Sequence, residues 1–461
     1  MRFFSIKPIS YLNGEVELPG DKSIAHRAII ISAISQGPSL IINFPANKDC
    51  LHTIKAFKKL GVRINLLKAD NCHSTYTVKV FGKGLCGLKK PNSNIYVGDS
   101  GTTLRLILGV LAGQDFEVVL TAGSSLSQRP MLRVTLPLRL MGAQIKARSK
   151  VQKSDTLTPE EYPPIIIKGA RLKPITYKIP VASAQVKSAI LLAGLYAKGK
   201  TTVIEPIRTR DHTERMLKLF KADIKVKKNI IVIRGKKQLI SPEVLYIPGD
   251  ISSASFFIVS AIIVPNSQIL IRNVGLNPSR LGIIRVLRRM GGKIELSGSN
   301  FQVPVYNSDA PSLEVGEPIG DILVKSSTLR GTIVKDREIP SLIDELPILM
   351  VAACYASGKT VFEGVGELRV KETDRIRSML ENLKKMGADI RLIRKREKES
   401  IVIRGVKRLK GASVKSFADH RTAMSLVVAG LNAEGKTRID DISCISKSFP
   451  DFIRILKKII S

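Results

Sequence analysis

Six stretches of this 461-residue chain repeat one pattern of polar and apolar positions. Each has a polar opening, a helix-length apolar run rich in small residues, a Gly- or Pro-type stop, and a β-branched segment. The first, from residue 18, reads LPGDKSIAHRAIIISAISQGPSLIINF, and the last, from 414, reads VKSFADHRTAMSLVVAGLNAEGKTRIDD. The others begin at 96, 179, 247 and 339, so the starts are 78, 83, 68, 92 and 75 residues apart. Helices that are apolar nearly all round belong inside a domain rather than on its surface. After each comes a segment with apolar residues three and four apart, such as HTIKAFKKLGVRI or DRIRSMLENLKKMGADI. That spacing, with a Gly stop in most cases, predicts an amphipathic helix. A hairpin follows, as in DIRLIRKREKESIVIRG. The predicted unit is strand, helix, strand, helix, strand, strand.

The sixth unit ends SFPDFIRILKKIIS, with no hairpin, and the N-terminal FFSIKPISYLNGEVELPG has the character of the missing piece. The pattern therefore predicts an α+β chain of two domains, each of three βαβαββ units around buried helices. Residues 1–19 plus 247–461 form the domain holding both chain ends, and residues 20–246 form an inserted domain. Three units packed about a pseudo-threefold axis bring three helix N-termini together in each domain. Two such mouths, facing each other, make a cleft lined with unpaired N–H groups, which suits anions.

The helix mouths carry the chemistry. Lys22 stands at the start of the first apolar helix, where the helix dipole is already positive. Lysine and dipole repel each other unless an anion binds between them. Ser23 can cap the helix or contact the anion, and Arg27, four residues on, shares its face. GDSGTTLR (98–105) offers Gly101 for close backbone approach, two threonine hydroxyls and Arg105, though alone it also reads as a capped glycine turn. Arg129 precedes a Pro that can open a helix. Ser183 and Gln185 are hydroxyl and amide donors, or a plain N-cap. Arg421 lies beside an aspartate N-cap. Acids are the rarer commodity: Asp344 and Glu345 start one apolar helix, and RVKETDRIR (369–377) places Lys371 and Arg375 on one face, with Glu372 between them. That last stretch, by itself, reads as a solvated helix with i,i+4 ion pairs. Acids in a strongly cationic cleft make good proton-transfer groups near neutral pH. SGKT (357–360) lacks the upstream glycine of a phosphate-binding P-loop and lies between helix and strand, so it is not one.

Composition narrows the classes. The chain is 44% hydrophobic and 25% charged, an ordinary globular balance. No apolar run approaches the ~18 residues of a membrane span, and the N-terminus reads as neither signal nor transit peptide. Cysteines 50, 72, 86, 354 and 444 show no paired spacing, which predicts buried thiols in a reducing compartment, the cytoplasm. Cys72 and His73 are too isolated for a zinc site. The net charge of +35 admits nucleic acid, an anionic membrane surface or polyanionic small substrates. Trp is absent and aromatics are 5%, so platforms for stacking bases are scarce. The densest basic runs, 221–229 and 391–400, fall where exposed hairpin ends are predicted.

LPGDKSIAHR, GDSGTTLR, QRPM, SAQVKSA, RDHTERML, GDISSAS, DELPIL, RVKETDRI, DHRTAM and KSFPDF, in this order, resemble the motif set of the 5-enolpyruvylshikimate-3-phosphate synthase family across nearly the whole chain. The resemblance implies an enolpyruvyl transferase-like fold, an inside-out α/β arrangement of two domains with three βαβαββ units each. It implies transfer of the enolpyruvyl group of phosphoenolpyruvate to the 5-hydroxyl of shikimate 3-phosphate, with release of phosphate, in aromatic amino acid biosynthesis. No metal or organic cofactor, membrane or specific nucleic acid is implied, and the family is usually monomeric. Carried over by position, Lys22, Ser23, Arg27, Ser183, Gln185, Asp344 and Lys371 hold shikimate 3-phosphate. Lys22, Gly101, Arg129, Gln185, Arg375, Arg421 and Lys447 surround phosphoenolpyruvate. Asp344 becomes the base on the 5-hydroxyl, and Glu372 with Lys22 the proton donors. Asp99 stands where the family commonly has Asn, and can add an acid at the anion site or turn outward. Ala184 stands where some members have a second Ser. Gly101 implies sensitivity to glyphosate, a phosphoenolpyruvate-competitive inhibitor of the family. Two rivals remain at this point. UDP-N-acetylglucosamine enolpyruvyl transferase shares fold and chemistry but carries a reactive Cys before an Arg-Pro, where GSSLSQRP has none. A basic nucleic-acid-binding protein would explain the charge but not Asp344 and Glu372.

Overall fold

Helices of two kinds alternate along the chain. In the computed structural model, which describes residues 3–68, 75–150, 159–298, 316–395 and 398–460, they are α1 (Lys22–Ala33), α2 (Lys48–Lys59), α3 (Gly101–Leu111), α4 (Leu132–Leu140), α5 (Ala184–Gly194) and α6 (His212–Leu219), followed by α7 (Ile251–Ile263), α8 (Gly282–Arg289), α9 (Leu346–Cys354), α10 (Arg375–Lys385), α11 (His420–Leu431) and α12 (Phe452–Ile459). The odd-numbered helices are the apolar runs. Every residue of α7, α9 and α11 is buried. The even-numbered helices bury one stripe each; α10 buries Ile376, Met379 and Leu383 and turns its lysines outward. Small residues let the inner helices meet closely: a Cβ on Gly109 of α3 would lie 2.3 Å from the Ala189 carbonyl oxygen of α5.

The described residues divide into two compact units. One contains residues 3–19, 248–298 and 318–460; the other contains 20–247 and 316–317. Ile247 thus lies with the inserted unit, because its N–H donates to the Ile42 carbonyl at 3.1 Å. Residues 316–317 also join that unit, through Arg215 Nη1 to the Gly316 carbonyl at 3.1 Å and His212 Nδ1 to Glu317 Oε1 at 2.7 Å.

Each unit holds three small sheets. In the inserted unit, Val244–Tyr246 runs parallel to Pro38–Pro45, which pairs antiparallel with Thr75–Phe81, itself antiparallel to Arg63–Lys68. Strands from 95 to 168 and from 176 to 234 repeat that order. In the other unit, Asn13–Glu17 runs parallel to Gln268–Gly275 and opens an equivalent four-stranded sheet. The last sheet has three strands: Ser413–Val414 parallel to Thr437–Ile439, and Phe4–Ile6 antiparallel to it. The N-terminal strand therefore occupies the place that the final repeat leaves open. The basic run at 221–229 straddles a hairpin between Asp223–Lys227 and Ile230–Arg234, with Lys225, Lys227 and Lys228 exposed. Much of this charge is solvated sheet surface.

Two local expectations change. Cys50, Cys354 and Cys444 are buried, but Cys86 is exposed. The helix expected across 369–377 starts only at Arg375, capped by Asp374 through the Arg377 N–H at 3.0 Å; a 3-10 turn covers Gly366–Val370. Lys371 and Arg375 therefore do not share a helical face. Cys72 and His73 lie outside the described residues.

Candidate active site

In the inserted unit, the mouths of α1, α3 and α5 are tied together by polar side chains. Asp21, not Ser23, caps α1, accepting the Ile24 N–H at 3.0 Å. Lys22 Nζ meets Asp49 Oδ2 of α2 at 2.9 Å, so a carboxylate 27 residues away offsets the clash between lysine and dipole. Arg27 is buried, and its guanidinium donates to the Ser23 carbonyl (2.8 Å), Ser188 Oγ (2.9 Å) and Thr213 Oγ1 (2.6 Å). Burial pushes it down to about 10, opposed chiefly by Glu214, so it remains a cation at neutral pH. Gln185 accepts from Arg105 Nη1 at 2.6 Å and donates to Thr102 Oγ1 at 2.9 Å. Ser183 is the N-cap of α5. Gly101 opens α3, and a Cβ there would stand 2.9 Å from Arg129 Nη1 and 3.0 Å from Arg105 Nη1. Gly101, Arg129, Arg105 and Gln185 thus form one cluster. Asp99 accepts the Leu126 N–H at 3.2 Å, which fixes the turn that leads to Arg129.

The other unit collects the acids. Arg375 is buried and holds three carboxylates: Asp419 Oδ2 at 2.9 Å, Glu372 Oε2 at 2.5 Å and Asp344 Oδ1 at 3.4 Å. Burial alone would lower the Arg375 pKa; Asp419, Glu372 and Asp344 outweigh it and leave the guanidinium a firmer cation than usual. Arg421 donates to the Asp344 carbonyl at 2.9 Å and lies 3.7 Å from its Oδ2. Asp419 also caps α11, accepting from the Arg421 and Thr422 N–H groups. Asp344 therefore sits against two arginines, with Glu372 on the same cation. Next to it the buried Glu345 accepts from Ser252 of α7, which ties the mouths of α7 and α9, and Arg421 of α11 lies 3.9 Å from the same carboxylate. Lys371 follows the 3-10 turn Gly366–Val370, and Lys447 ends another, Ser443–Lys447, that packs against α11. Among the described residues no group of three or more His, Cys, Asp or Glu side chains is placed so that it could hold a metal ion.

Within each unit several expected residues meet: Arg27 with Ser23, Gln185 with Arg105 beside Gly101 and Arg129, and Asp344 with Arg375 and Arg421, with Glu372 also on Arg375. Sequence reasoning missed Asp49 and Thr213, and it took Asp419 for a cap alone. For Asp49 the local signal was only an acid in the first turn after the Asn47 cap. Thr213 lies in RDHTERML, a stretch with no chemistry of its own.

A family model described as EPSP synthase (3-phosphoshikimate 1-carboxyvinyltransferase) matches residues 6–456. The chain belongs to the EPSP synthase family. Relatives named 3-phosphoshikimate 1-carboxyvinyltransferase include one from Desulforamulus reducens, 44% identical over 99% of both chains, and one from Petrotoga mobilis, 45% identical over 99% of both. A solved EPSP synthase from Acinetobacter baumannii superposes with a TM-score of 0.81 at 40% identity, covering 100% of this chain and 98% of that one. The enolpyruvyl transferase NikO from Streptomyces tendae, at 16% identity and a TM-score of 0.73 over 100% and 98% of the chains, shares the fold. Membership in the EPSP synthase family favours neither the sugar-nucleotide enzyme nor a nucleic-acid-binding protein. No helix among the described residues is long and apolar enough to cross a membrane.

Proposed function

We propose that this chain transfers the enolpyruvyl group of phosphoenolpyruvate to the 5-hydroxyl of shikimate 3-phosphate, releasing phosphate. The observation that carries the reading is the gathering of Asp344 and Glu372 on Arg375, in a chain of the EPSP synthase family. In the addition step Asp344 takes the proton of the 5-hydroxyl as its oxygen bonds to C2 of phosphoenolpyruvate, while Glu372, with Lys22, delivers a proton to C3. In the elimination step a C3 proton is returned and the C2–O bond to phosphate breaks, leaving the enolpyruvyl ether. Both substrates are polyanions, so preorganised cations stabilise the charge that develops.

In this reading Lys22, Ser23, Arg27, Ser183, Gln185, Asp344 and Lys371 hold shikimate 3-phosphate. Lys22, Gly101, Arg129, Gln185, Arg375, Arg421 and Lys447 hold phosphoenolpyruvate. The substrate carboxylate competes with Glu372 and Asp344 for Arg375, so its arrival frees the acid and the base for their steps. The reaction calls for no metal or organic cofactor. The reading takes the chain as a cytoplasmic monomer. The test is phosphate release with both substrates, with each alone, and in Asp344→Ala. Release that needs both substrates and falls by about 100-fold or more in the variant supports the reading, since a positioned base is worth that much. Release from phosphoenolpyruvate alone, or an unaffected variant, overturns it.

A further inference from the structure

One buried ionic cluster in the inserted unit lies outside the residues assigned above. Lys187, on α5, has Nζ 3.0 Å from Glu205 Oε2 and 2.7 Å from Glu214 Oε1. All three side chains are at most 4% exposed. Glu205 directly follows the strand Lys200–Ile204, and its Oε1 accepts from Thr209, by N–H at 3.2 Å and by hydroxyl. Glu214 belongs to α6, and its Oε2 has no hydrogen-bond partner among the described residues. One lysine thus ties three separate stretches of chain.

The neighbours of this triad form the seat of Arg27. Ser188 follows Lys187, and Thr213 precedes Glu214. Their hydroxyls are 2.6 Å apart, and they accept from Arg27 Nη2 and Nε respectively. With Nη1 on the Ser23 carbonyl, three of the five guanidinium N–H groups are fixed by the protein. The other two can serve an anion. A hydroxyl rotor cannot by itself hold two helices in register, but a lysine bridging two carboxylates can.

We propose that Lys187, with Glu205 and Glu214, is a positioning group for substrate binding: it locks α5 to α6 so that Ser188 and Thr213 aim the free N–H groups of Arg27 at shikimate 3-phosphate. The inference rests on the assignment of Arg27 to that substrate. Stability is a poor explanation for the cluster, which has one cation for two carboxylates. Burial pushes the Glu214 carboxyl upward, with Lys187 opposing. Apolar replacement of such groups is often neutral or stabilising. Glu214 is also the carboxylate that most supports the charge on Arg27.

The test is calorimetric titration of shikimate 3-phosphate into the full chain, wild type and variants, well below each melting temperature. Lys187→Met alone leaves two buried carboxylates and can fail to fold. The decisive variant is therefore Lys187→Met with Glu205→Gln and Glu214→Leu, which removes every charge together. Its melting temperature should hold or rise, while Kd for shikimate 3-phosphate rises about tenfold, the value of one well-aligned charge-assisted hydrogen bond. The KM for phosphoenolpyruvate, at saturating partner, should stay within about threefold. Lys187→Arg, which keeps the cation, should recover part of the affinity. Wild-type affinity in the folded charge-free variant overturns the inference and leaves the proposed reaction standing. A wild-type chain that neither binds shikimate 3-phosphate nor releases phosphate overturns the reaction itself.

Discussion

Replacing Gly101 by Ala tests the phosphoenolpyruvate half of the site most directly. The added Cβ would lie 2.9 Å from Arg129 Nη1, 3.0 Å from Arg105 Nη1 and 3.4 Å from Arg129 Cζ. Non-bonded heavy atoms settle near 3.5–4.0 Å, so a guanidinium must retreat by roughly half an ångström. Arg105 is buried and held by Gln185 and the Pro130 carbonyl. Arg129 is half-buried at the end of a turn, so it is the one that moves. Hydrogen bonds to charged groups contribute about 1.5–3 kcal/mol each. Loss of one raises the KM for phosphoenolpyruvate about tenfold to a hundredfold. The KM for shikimate 3-phosphate should change much less. Stability moves the other way. Gly101 opens a helix without a left-handed backbone, and Ala is favoured over Gly in a helix by up to ~1 kcal/mol. Phosphate release with each substrate varied, beside a thermal melt, reads both effects. Glyphosate inhibition should be relieved in parallel. An unchanged KM for phosphoenolpyruvate or an unchanged inhibition constant, with the variant folded, would refute the placement of Arg129 at that substrate.

Two further substitutions probe the buried charges. Asp419→Asn keeps an oxygen to cap α11 but removes the carboxylate from Arg375 Nε, so urea unfolding should show a loss of about 3–5 kcal/mol and the KM for phosphoenolpyruvate should rise; a loss below ~1 kcal/mol would mean that Glu372 and Asp344 suffice. His26 is fully buried, its Nδ1 bonded to Thr53 Oγ1 at 2.6 Å, and burial drives its pKa down to about 3. In the unfolded chain it titrates near ~6.5. The folded ring stays neutral while the unfolded one takes up a proton, so stability falls as pH drops from about 6.5 towards 3, by on the order of 2 kcal/mol at pH 5. Unfolding of His26→Gln at pH 7 and pH 5 should lack that share of the loss; equal losses in both proteins would assign the acid sensitivity to other groups.

What local pattern determined here is the set of parts. An apolar run with polar flanks makes a helix that must be buried, and a run with period three to four makes one that covers it. Both follow from side-chain hydration and helix geometry, which act over a few residues. That is why the repeat, the alternation of inner and outer helices and the polar helix mouths were legible from order alone. The resemblance of ten motifs then pointed to the chemistry, and the family match agrees with it.

Tertiary structure decided which charge meets which. Lys22 looks misplaced at a helix N-terminus until Asp49 approaches to 2.9 Å from another helix. Arg27 takes its seat from Ser188 and Thr213, 161 and 186 residues distant in sequence. Arg375 gathers Asp344 and Asp419 from two other helix mouths, and the start of its own helix, at residue 375 rather than before, sets how Glu372 reaches it. Ion pairs and hydrogen bonds depend on separation and dielectric at a point in space. No local pattern encodes that point, because it exists only once the buried helices have packed.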